Sequence, residues 1–281
     1  MATFPGNTLI AEGNQRIMAG KTAKSARPAF EGAGAAMAVF GRAVLDLLWP
    51  PQCLVSREIV GATGQIAPDF WKQLAFIDAP LCARCGLPFA YDPGPDALCP
   101  TCIAYPPAFD RARAPLAYGS ATSKMLVQFK WGGRMDGVKP FADWMARAAG
   151  PSFREADIVV PVPLHVTRLV SRRFNQSALL AQQLARILDV ELSVDLLVRT
   201  RRTPSQMGKN HKQRHLNVAK AFAVRPARRD VAVDRHVLLV DDVLTTGATV
   251  NACAKVLKQA GARQVDVVTL ARVVDDEWHS L

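Results

Sequence analysis

Four of the six cysteines form two pairs with the spacing of zinc ligands. Each pair has the form Cys-x-x-Cys, and 13 residues (86–98) separate the first pair from the second. One such pair offers two thiolates to a tetrahedral ion, and the intervening loop brings the second pair to the same ion. Four thiolates fill the coordination sphere, so the pattern predicts a structural zinc bound by Cys82, Cys85, Cys99 and Cys102. Reduced core cysteines and a redox-active pair are the alternatives.

A second segment has the composition of a phosphate-binding loop. Residues 237–249 read Val-Leu-Leu-Val-Asp-Asp-Val-Leu-Thr-Thr-Gly-Ala-Thr. Backbone N–H groups that lead into a helix can bind an anion, and the helix dipole adds to the attraction. The hydroxyls of Thr245, Thr246 and Thr249 can reach the same phosphate, and Gly247 lets the backbone approach it closely. Neither a Walker Gly-Lys-Ser/Thr nor a Gly-x-Gly-x-x-Gly motif occurs in this segment.

Two adjacent carboxylates precede this loop and would repel a phosphate unless they bind something else. Asp241 and Asp242 make chemical sense if they accept hydrogen bonds from sugar hydroxyls and lie near a divalent cation. An ordinary strand-to-helix turn capped by aspartate would explain one carboxylate and one threonine, but not the whole string. The segment therefore predicts a ligand that combines a sugar with a phosphate.

The chain carries a net charge of +11, and the excess lies entirely in its second part. Residues 1–110 hold 8 basic and 9 acidic side chains, whereas residues 111–281 hold 27 and 15. Within residues 199–220 there are seven Lys and Arg, two His and no acid. This distribution indicates a phosphate-bearing partner, although a solvated basic surface has the same composition. Single-stranded nucleic acid is a rival use of the charge, but residues 199–220 lack aromatic side chains for base stacking.

These residues require a scaffold of strands and helices in alternation. Apolar spacing predicts helices at Ala36–Leu48, Phe174–Leu188 and Gly247–Gln259, and strands at Ile158–Val162, Val237–Val240 and Val265–Ala271. Residues 52–110 are loop-like, and no internal repeat stands out. Strand, helix and strand in succession indicate an α/β fold with a mainly parallel sheet.

Three regions follow from this pattern. We predict a disordered tail at 1–34, a helix with a zinc-binding module at 35–110, and an α/β domain at 111–281. A hydrophobic content of 49% is ample for a core. No apolar run approaches the ~18 residues of a membrane span, and the N-terminus lacks a signal-peptide pattern. We therefore expect a cytoplasmic protein without a membrane span, whose cysteines bind metal rather than form disulfides.

The string at 237–249 resembles the phosphoribosyl pyrophosphate (PRPP) signature of type I phosphoribosyltransferases. Three further segments narrow the resemblance to the ComF/GntX family of competence-related proteins: Val160–Gln176, Arg199–Phe222 and Phe129–Arg134. With the cysteine module, the resemblance covers roughly residues 40–275. It implies an N-terminal double zinc ribbon followed by a type I phosphoribosyltransferase-like domain, in which helices flank a mainly parallel sheet.

The resemblance also implies roles for individual residues. Asp241 and Asp242 would bind the ribose 2′ and 3′ hydroxyls of PRPP, with Mg²⁺ beside them, and the following loop would wrap the 5′-phosphate. The residues implied to bind PRPP are Asp241, Asp242, Leu244, Thr245, Thr246, Gly247, Ala248 and Thr249. Candidates for the pyrophosphate side and for a basic lid are Pro163, Leu164, His165, Arg168, Arg201, Arg202, Lys212 and Arg214. His165 is equally consistent with an ordinary surface loop.

The chain also departs from the family pattern. The first set of cysteine knuckles is reduced to Cys53, with Ser56 in place of a second thiol, so we expect one zinc at most. Arg173 replaces the usual glycine of the Arg-Gly-Phe-Asn-Gln string, and Lys209 stands where Leu is common. The change at Arg173 puts the local loop conformation in question.

The resemblance implies a PRPP-binding protein that acts in DNA uptake, natural transformation or the handling of single-stranded DNA. Its implied partners are PRPP, single-stranded DNA, and DNA-uptake or recombination proteins. The alternative is an active phosphoribosyltransferase that transfers ribose 5-phosphate from PRPP to an unidentified nitrogenous acceptor. A scaffold with a vestigial site is a third reading, against which the intact signature argues. No catalytic residue can be assigned from the sequence.

Overall fold

The computed structural model describes residues 48–133, 135–164, 174–200 and 221–274. The strands are β1 (Arg111–Arg113), β2 (Leu116–Ala117), β3 (Ile158–Pro161), β4 (Glu191–Leu192), β5 (Leu197–Arg199), β6 (Phe222–Val224), β7 (His236–Leu244) and β8 (Gln264–Arg272). Six of them form one parallel sheet in the order β1-β8-β7-β3-β4, with β2 beyond β1 along the same edge of β8. The antiparallel pair β5–β6 forms a separate hairpin.

Six α-helices occur in the described residues. They are α1 (Pro68–Trp71), α2 (Pro100–Ala104), α3 (Ser120–Trp131), α4 (Val138–Ala149), α5 (Gln176–Leu188) and α6 (Ala248–Gln259). Short 3₁₀ helices lie at Met135–Gly137, Pro151–Phe153 and Pro226–Ala232. α5 connects β3 to β4 and α6 connects β7 to β8, which are the crossovers that parallel strands require.

The two long strands β7 and β8 are largely buried, and Val237–Val240 of β7 forms a continuous apolar run, as is typical of a parallel strand covered on both faces. Successive side chains of β7 enter opposite layers of core. Leu238 and Val240 join the cluster beneath α3, α4 and α5, whereas Val237 and Leu239 join the cluster beneath α6 and the β5–β6 hairpin. The α/β fold with a mainly parallel sheet and flanking helices is thus confirmed.

The boundaries differ from the predicted ones in two informative places. β7 continues to Leu244, four residues beyond the predicted end at Val240, because pairing with β8 extends through the two aspartates. α5 begins at Gln176 rather than Phe174, because the Asn175 side chain accepts a hydrogen bond from the Ser177 N–H at 3.1 Å and caps the helix there.

Pro50 onward forms one unit, which contains both the cysteine module and the sheet. Residues 52–110 are loop-like except for α1 and α2, each of which begins at a proline. The predicted tail at 1–34 and the predicted helix at 36–48 lie outside the described residues, save Leu48. Among the residues that the structure describes, no helix has the length and apolarity to span a bilayer.

Candidate functional site

The two aspartates of the PRPP-like string lie near the carboxyl end of β7. Asp241 is held by two donors to its Oδ1 atom: the Ser177 hydroxyl at 3.0 Å and the Asp242 N–H at 2.9 Å. The Lys130 ammonium lies 2.6 Å from Oδ2 of Asp242, and both of these side chains are largely buried. The pair of carboxylates is therefore fixed by one residue from α3 and one from α5.

Burial raises the pKa of Asp241 to about 7, and the negative charge of Asp242 beside it adds to the rise. Hydrogen bonds from the Asp242 N–H and Ser177, and the charge of Lys130, act in the opposite direction. A carboxyl group that titrates near neutrality can accept a hydrogen bond from a hydroxyl when ionised and donate one when protonated. This suits a site that binds a sugar diol.

Lys130 and Ser177 were not among the predicted site residues. Lys130 lies in the Phe129–Arg134 segment of the family resemblance, and Ser177 directly follows the Phe-Asn-Gln string. The resemblance therefore drew attention to the segments that contain or adjoin these two residues, but it did not indicate that their side chains contact the aspartates. The Gln176 side chain, which is buried, donates to the Lys130 carbonyl at 3.2 Å. This bond joins the end of α3 to the start of α5, the two helix ends from which Lys130 and Ser177 reach the aspartates of β7.

The loop from Thr245 to Gly247 connects β7 to α6 and has the features of an anion site. Gly247 adopts φ 74°, the left-handed region that favours glycine, and α6 follows it directly. The hydroxyl of Thr246 is buried and has no hydrogen-bond partner in the described part of the chain. A buried hydroxyl without a partner, next to the N-terminus of a 12-residue helix, matches the needs of a phosphate.

The remaining residues implied to bind PRPP divide into two groups. Leu244 and Ala248 are 4% and 2% exposed, so their side chains support the loop from the core rather than reach a ligand. Thr245 is exposed and Thr249 is half-buried at the start of α6. The structure therefore brings the whole string from Asp241 to Thr249 to one end of the sheet.

The predicted pyrophosphate side lies at the same end, after β3. The Val162 N–H donates to the Val240 carbonyl at 2.8 Å, and Pro163 and Leu164 follow it as half-buried residues. The other candidates for the pyrophosphate side and the lid lie outside the described residues: His165, Arg168, Arg201, Arg202, Lys212 and Arg214. Arg173 and Lys209, the two departures from the family pattern, lie outside them as well.

The two ends of the segment predicted to be a basic lid meet at the β5–β6 hairpin. The Thr200 N–H donates to the Ala221 carbonyl at 2.9 Å, which closes the base of the 201–220 segment. Arg199 pairs in register with Phe222, and its guanidinium lies 5.2 Å from the centre of that ring. β6 packs against α6, the helix that begins at the phosphate-binding loop.

The four predicted zinc ligands converge. Their Sγ atoms all lie within 4.8 Å of one another, and those of Cys85 and Cys99 are 3.7 Å apart. Tetrahedral zinc with bonds of about 2.3 Å needs sulfurs about 3.8 Å apart, so the donor set fits this metal. A hydrogen bond from the Cys85 thiol lowers the pKa of Cys82 to about 4, and backbone N–H groups of Cys85 and Cys99 also donate to this sulfur. The geometry supports a structural zinc.

A second ribbon precedes the first along the chain, and its centre cannot hold a metal. The Cys53 Sγ accepts hydrogen bonds from the Ser56 and Ala67 N–H groups at 3.4 and 3.2 Å. The Cys82 Sγ accepts the equivalent bonds from Cys85 and Cys99 at 3.5 and 3.3 Å. Three of the four ligand positions are thus occupied by Ser56, Ala67 and, in the short helix, Phe70, which is buried.

Backbone geometry confirms that these two ribbons are copies of one another. The bridge Gln52–Ile59 corresponds to the bridge Leu81–Pro88. Arg57 has φ 64° where Gly86 has φ 69°, and α1 and α2 begin at equivalent prolines. The double zinc ribbon that the family resemblance implies, with a first ribbon that has lost ligands, is therefore present as a repeat of about 30 residues. The repeat does not stand out in the sequence, because little more than Cys53 and the prolines Pro51 and Pro68 of its pattern survive in the first copy.

Two family models match parts of this chain. The family model of the double zinc ribbon domain matches residues 44–103, and that of the phosphoribosyl transferase domain matches residues 175–279.

Two relatives align over most of their length. Competence protein F of Haemophilus influenzae is 30% identical over 198 residues, which cover 69% of this chain and 85% of that protein. DNA utilization protein YhgH of Escherichia coli is 32% identical over 203 residues, which cover 70% and 86%. Among solved structures, the purine phosphoribosyltransferase of Pyrococcus horikoshii aligns with 47% of this chain and 72% of its own at 18% identity, with a TM-score of 0.27.

Proposed function

Since this chain belongs to the ComF family of competence proteins, we propose that it binds PRPP with Mg²⁺ at the carboxyl end of β7 and acts in DNA uptake or in the handling of single-stranded DNA. The names of its relatives, competence protein F and DNA utilization protein YhgH, support the role with DNA. The match to the phosphoribosyl transferase domain supports PRPP as the ligand. We propose the cytoplasm as its location, because four reduced thiolates persist there.

One observation carries the proposal for PRPP. Two carboxylates, Asp241 and Asp242, lie near the carboxyl end of β7. Within a few residues of them is a buried hydroxyl that has no partner in the described chain, that of Thr246. The carboxylates can accept hydrogen bonds from a ribose diol, while the loop and the first turn of α6 donate to a phosphate. PRPP presents both groups on one sugar.

The residues present also fit a magnesium ion. Asp241 and Asp242 offer the carboxylate oxygens that Mg²⁺ prefers, and PRPP supplies phosphate oxygens. The bound ion would neutralise part of the pyrophosphate charge.

Lys130 forms an ion pair with Asp242. Its ammonium, 2.6 Å from Oδ2, prevents two carboxylates from facing each other without compensation. When a sugar hydroxyl takes up this oxygen, the ammonium becomes free to pair with a phosphate oxygen of the same ligand. Lys130 is in this proposal a residue that exchanges one anionic partner for another on binding.

Calorimetry with PRPP and Mg²⁺ tests the site. We expect binding by the wild-type protein and a loss of at least about tenfold in affinity for Asp242→Asn, because the sugar loses an ionised acceptor. Asp69→Asn is the matched control, since the Asp69 side chain is exposed on α1 and forms an ion pair only with Lys72 among the described residues. Equal affinity of wild type and Asp242→Asn, or no binding by either, would contradict the site.

The second candidate function is transfer of ribose 5-phosphate to a nitrogenous acceptor. It is favoured by the base of the 201–220 segment, which lies beside the helix that begins at the phosphate-binding loop. Such a segment could close over pyrophosphate and exclude water. Release of pyrophosphate from PRPP in the presence of one of a panel of bases would establish it, and no release with any base would favour the binding role.

A further inference from the structure

The zinc-binding ribbon contacts the end of β8, beside the loop proposed to bind phosphate. The Arg272 guanidinium donates to the Cys85 carbonyl, and one of its nitrogens lies 3.6 Å from the sulfur of the same cysteine. Arg272 is the last residue of β8 and only 6% exposed. A buried arginine needs such partners, because an unpaired buried charge is costly.

Arg272 lies next to the strand end that leads into the phosphate-binding loop. Arg272 pairs with Leu244 across the sheet, and the Val273 N–H donates to the Leu244 carbonyl at 2.8 Å. Leu244 is the last residue of β7 and directly precedes Thr245. The strand end that carries the phosphate-binding loop is therefore hydrogen-bonded to the strand end that carries the zinc contact.

A second connection runs through the segment after α2, the helix that carries Cys102. The Ala108 N–H donates to the Asn251 side chain in the first turn of α6 at 2.5 Å. Phe109 is 4% exposed, and a Cβ built on Gly247 would lie 3.9 Å from its ring. The segment that leaves the zinc ribbon thus packs beneath the phosphate-binding loop and holds the helix that follows it.

The ribbon also packs closely against β1 of the sheet. The Ala112 N–H donates to the Arg84 carbonyl at 2.6 Å. A Cβ on Gly86 would lie 2.5 Å from the Ala112 carbonyl oxygen, so only glycine permits this approach. Arg113 adds a bond from its guanidinium to the Ala83 carbonyl at 3.2 Å.

From these contacts we infer that the zinc ribbon is a positioning element for the phosphate-binding loop, and that Arg272 is the residue through which it acts. Four thiolates around Zn²⁺ carry a net charge of about −2, which the guanidinium of Arg272 faces. Metal binding fixes the Cys85 backbone and hence Arg272, which in turn fixes the end of β7. The phosphate is the ligand of the proposed function, but the coupling between metal and loop does not require a bound ligand.

Hydrogen exchange measured by mass spectrometry on the full chain tests this inference. We expect removal of zinc with a chelator, and separately Arg272→Met with zinc retained, to raise the exchange of residues 244–251 by about tenfold or more. Exchange in β3 should stay unchanged, and Arg272→Lys should lie between Met and wild type because it keeps the charge without the fork of donors. Arg263→Met is the matched control, since Arg263 pairs with Asp157 at the surface.

Two results would overturn the inference. One is wild-type exchange at 244–251 in Arg272→Met or in zinc-free protein. The other is a uniform rise in all strands, which would mean that zinc stabilises the fold as a whole. Adding PRPP and Mg²⁺ to the same zinc-loaded sample separates this test from the proposed function. If PRPP does not bind, the proposed function fails, but the exchange measured without PRPP still shows whether zinc and Arg272 stabilise residues 244–251.

Discussion

Lys130 and Asp242 form an ion pair of 2.6 Å that joins the end of α3 to the carboxyl end of β7. The lysine lies outside the part of the chain that matches the phosphoribosyl transferase family model, residues 175–279, whereas the aspartate lies inside it. The site therefore includes a residue from outside the part of the chain that this family model matches. Substitution of Lys130 therefore tests how the charge of this ion pair affects ligand binding.

Replacing Lys130 with Met should weaken PRPP binding by about tenfold, because the site loses a cation next to an anionic ligand. Lys130→Arg should retain part of the affinity. The measurement is calorimetry with PRPP and Mg²⁺, and Lys139→Met is the control, since Lys139 pairs with Asp143 in an exposed position on α4. Unchanged affinity in Lys130→Met would show that the ammonium only balances Asp242 in the free protein.

The raised pKa of Asp241 predicts a pH dependence of stability. The native carboxyl titrates at about 7 and the unfolded one at 3.8, so between these values the native state binds more protons than the unfolded state. The contribution of Asp241 to the free energy of unfolding is therefore present below about pH 4 and is lost as the pH rises to about 7. Above pH 7 the loss is complete, on the order of a few kcal/mol.

Urea unfolding of wild type and Asp241→Asn at pH 5 and pH 8 measures this effect. We expect the difference in free energy of unfolding between the two pH values to be smaller in the variant, because asparagine does not titrate. Asp69→Asn, which changes an exposed carboxylate, should keep the wild-type difference. Identical pH dependence in wild type and Asp241→Asn would contradict a neutral Asp241 in the native protein at pH 5.

Zinc content should be one ion per chain. The first ribbon has Ser56, Ala67 and Phe70 in three ligand positions, so Cys53→Ser should leave the zinc content unchanged. Cys82→Ser should lower it, because three thiolates and a hydroxyl bind zinc less tightly. Elemental analysis of carefully prepared protein measures both, and two ions per chain or none would contradict the assignment.

Neutralising Arg201, Arg202 and Lys212 to Gln should weaken binding to single-stranded DNA and flatten its salt dependence. Each phosphate contact on a single strand contributes about 0.7 to the slope of log K against log salt, so the triple variant should lose roughly 2. A matched triple variant of exposed residues elsewhere, Lys72, Lys139 and Arg186, controls for net charge. If only PRPP affinity changes in the first variant, the segment serves the small ligand instead of DNA.

Some of this architecture could be read from local sequence. The continuous apolar run in β7 predicts a strand because a parallel strand covered on both faces needs no polar positions. The two Cys-x-x-Cys pairs predict their own convergence because metal geometry restricts the spacing of ligands. The end of β7 was less predictable, because Asp241 and Asp242 are poor strand residues and stay in the sheet only through pairing with β8.

Other features leave little trace in the sequence. The first ribbon was expected only from the family resemblance, because Cys53 is its one remaining cysteine and the repeat is preserved in backbone hydrogen bonds rather than in residue types. Ser177 and Lys130 are ordinary helix-surface residues until the packing of α3 and α5 brings them to β7. Nothing in the local sequence around Arg272 indicates that its guanidinium contacts the zinc-binding ribbon.

By itself, the sequence determined the chemical groups and their local order: four thiolates, two carboxylates, and a threonine-rich loop at the start of a helix. These follow from short-range spacing, since each motif lies within one turn, one knuckle or one strand-to-helix connection. Only the tertiary structure decided which distant groups meet: Lys130 with Asp242, Ser177 with Asp241, and Arg272 with Cys85. The reason is that strand order and helix packing, which set those meetings, depend on burial of the whole sheet rather than on any local pattern.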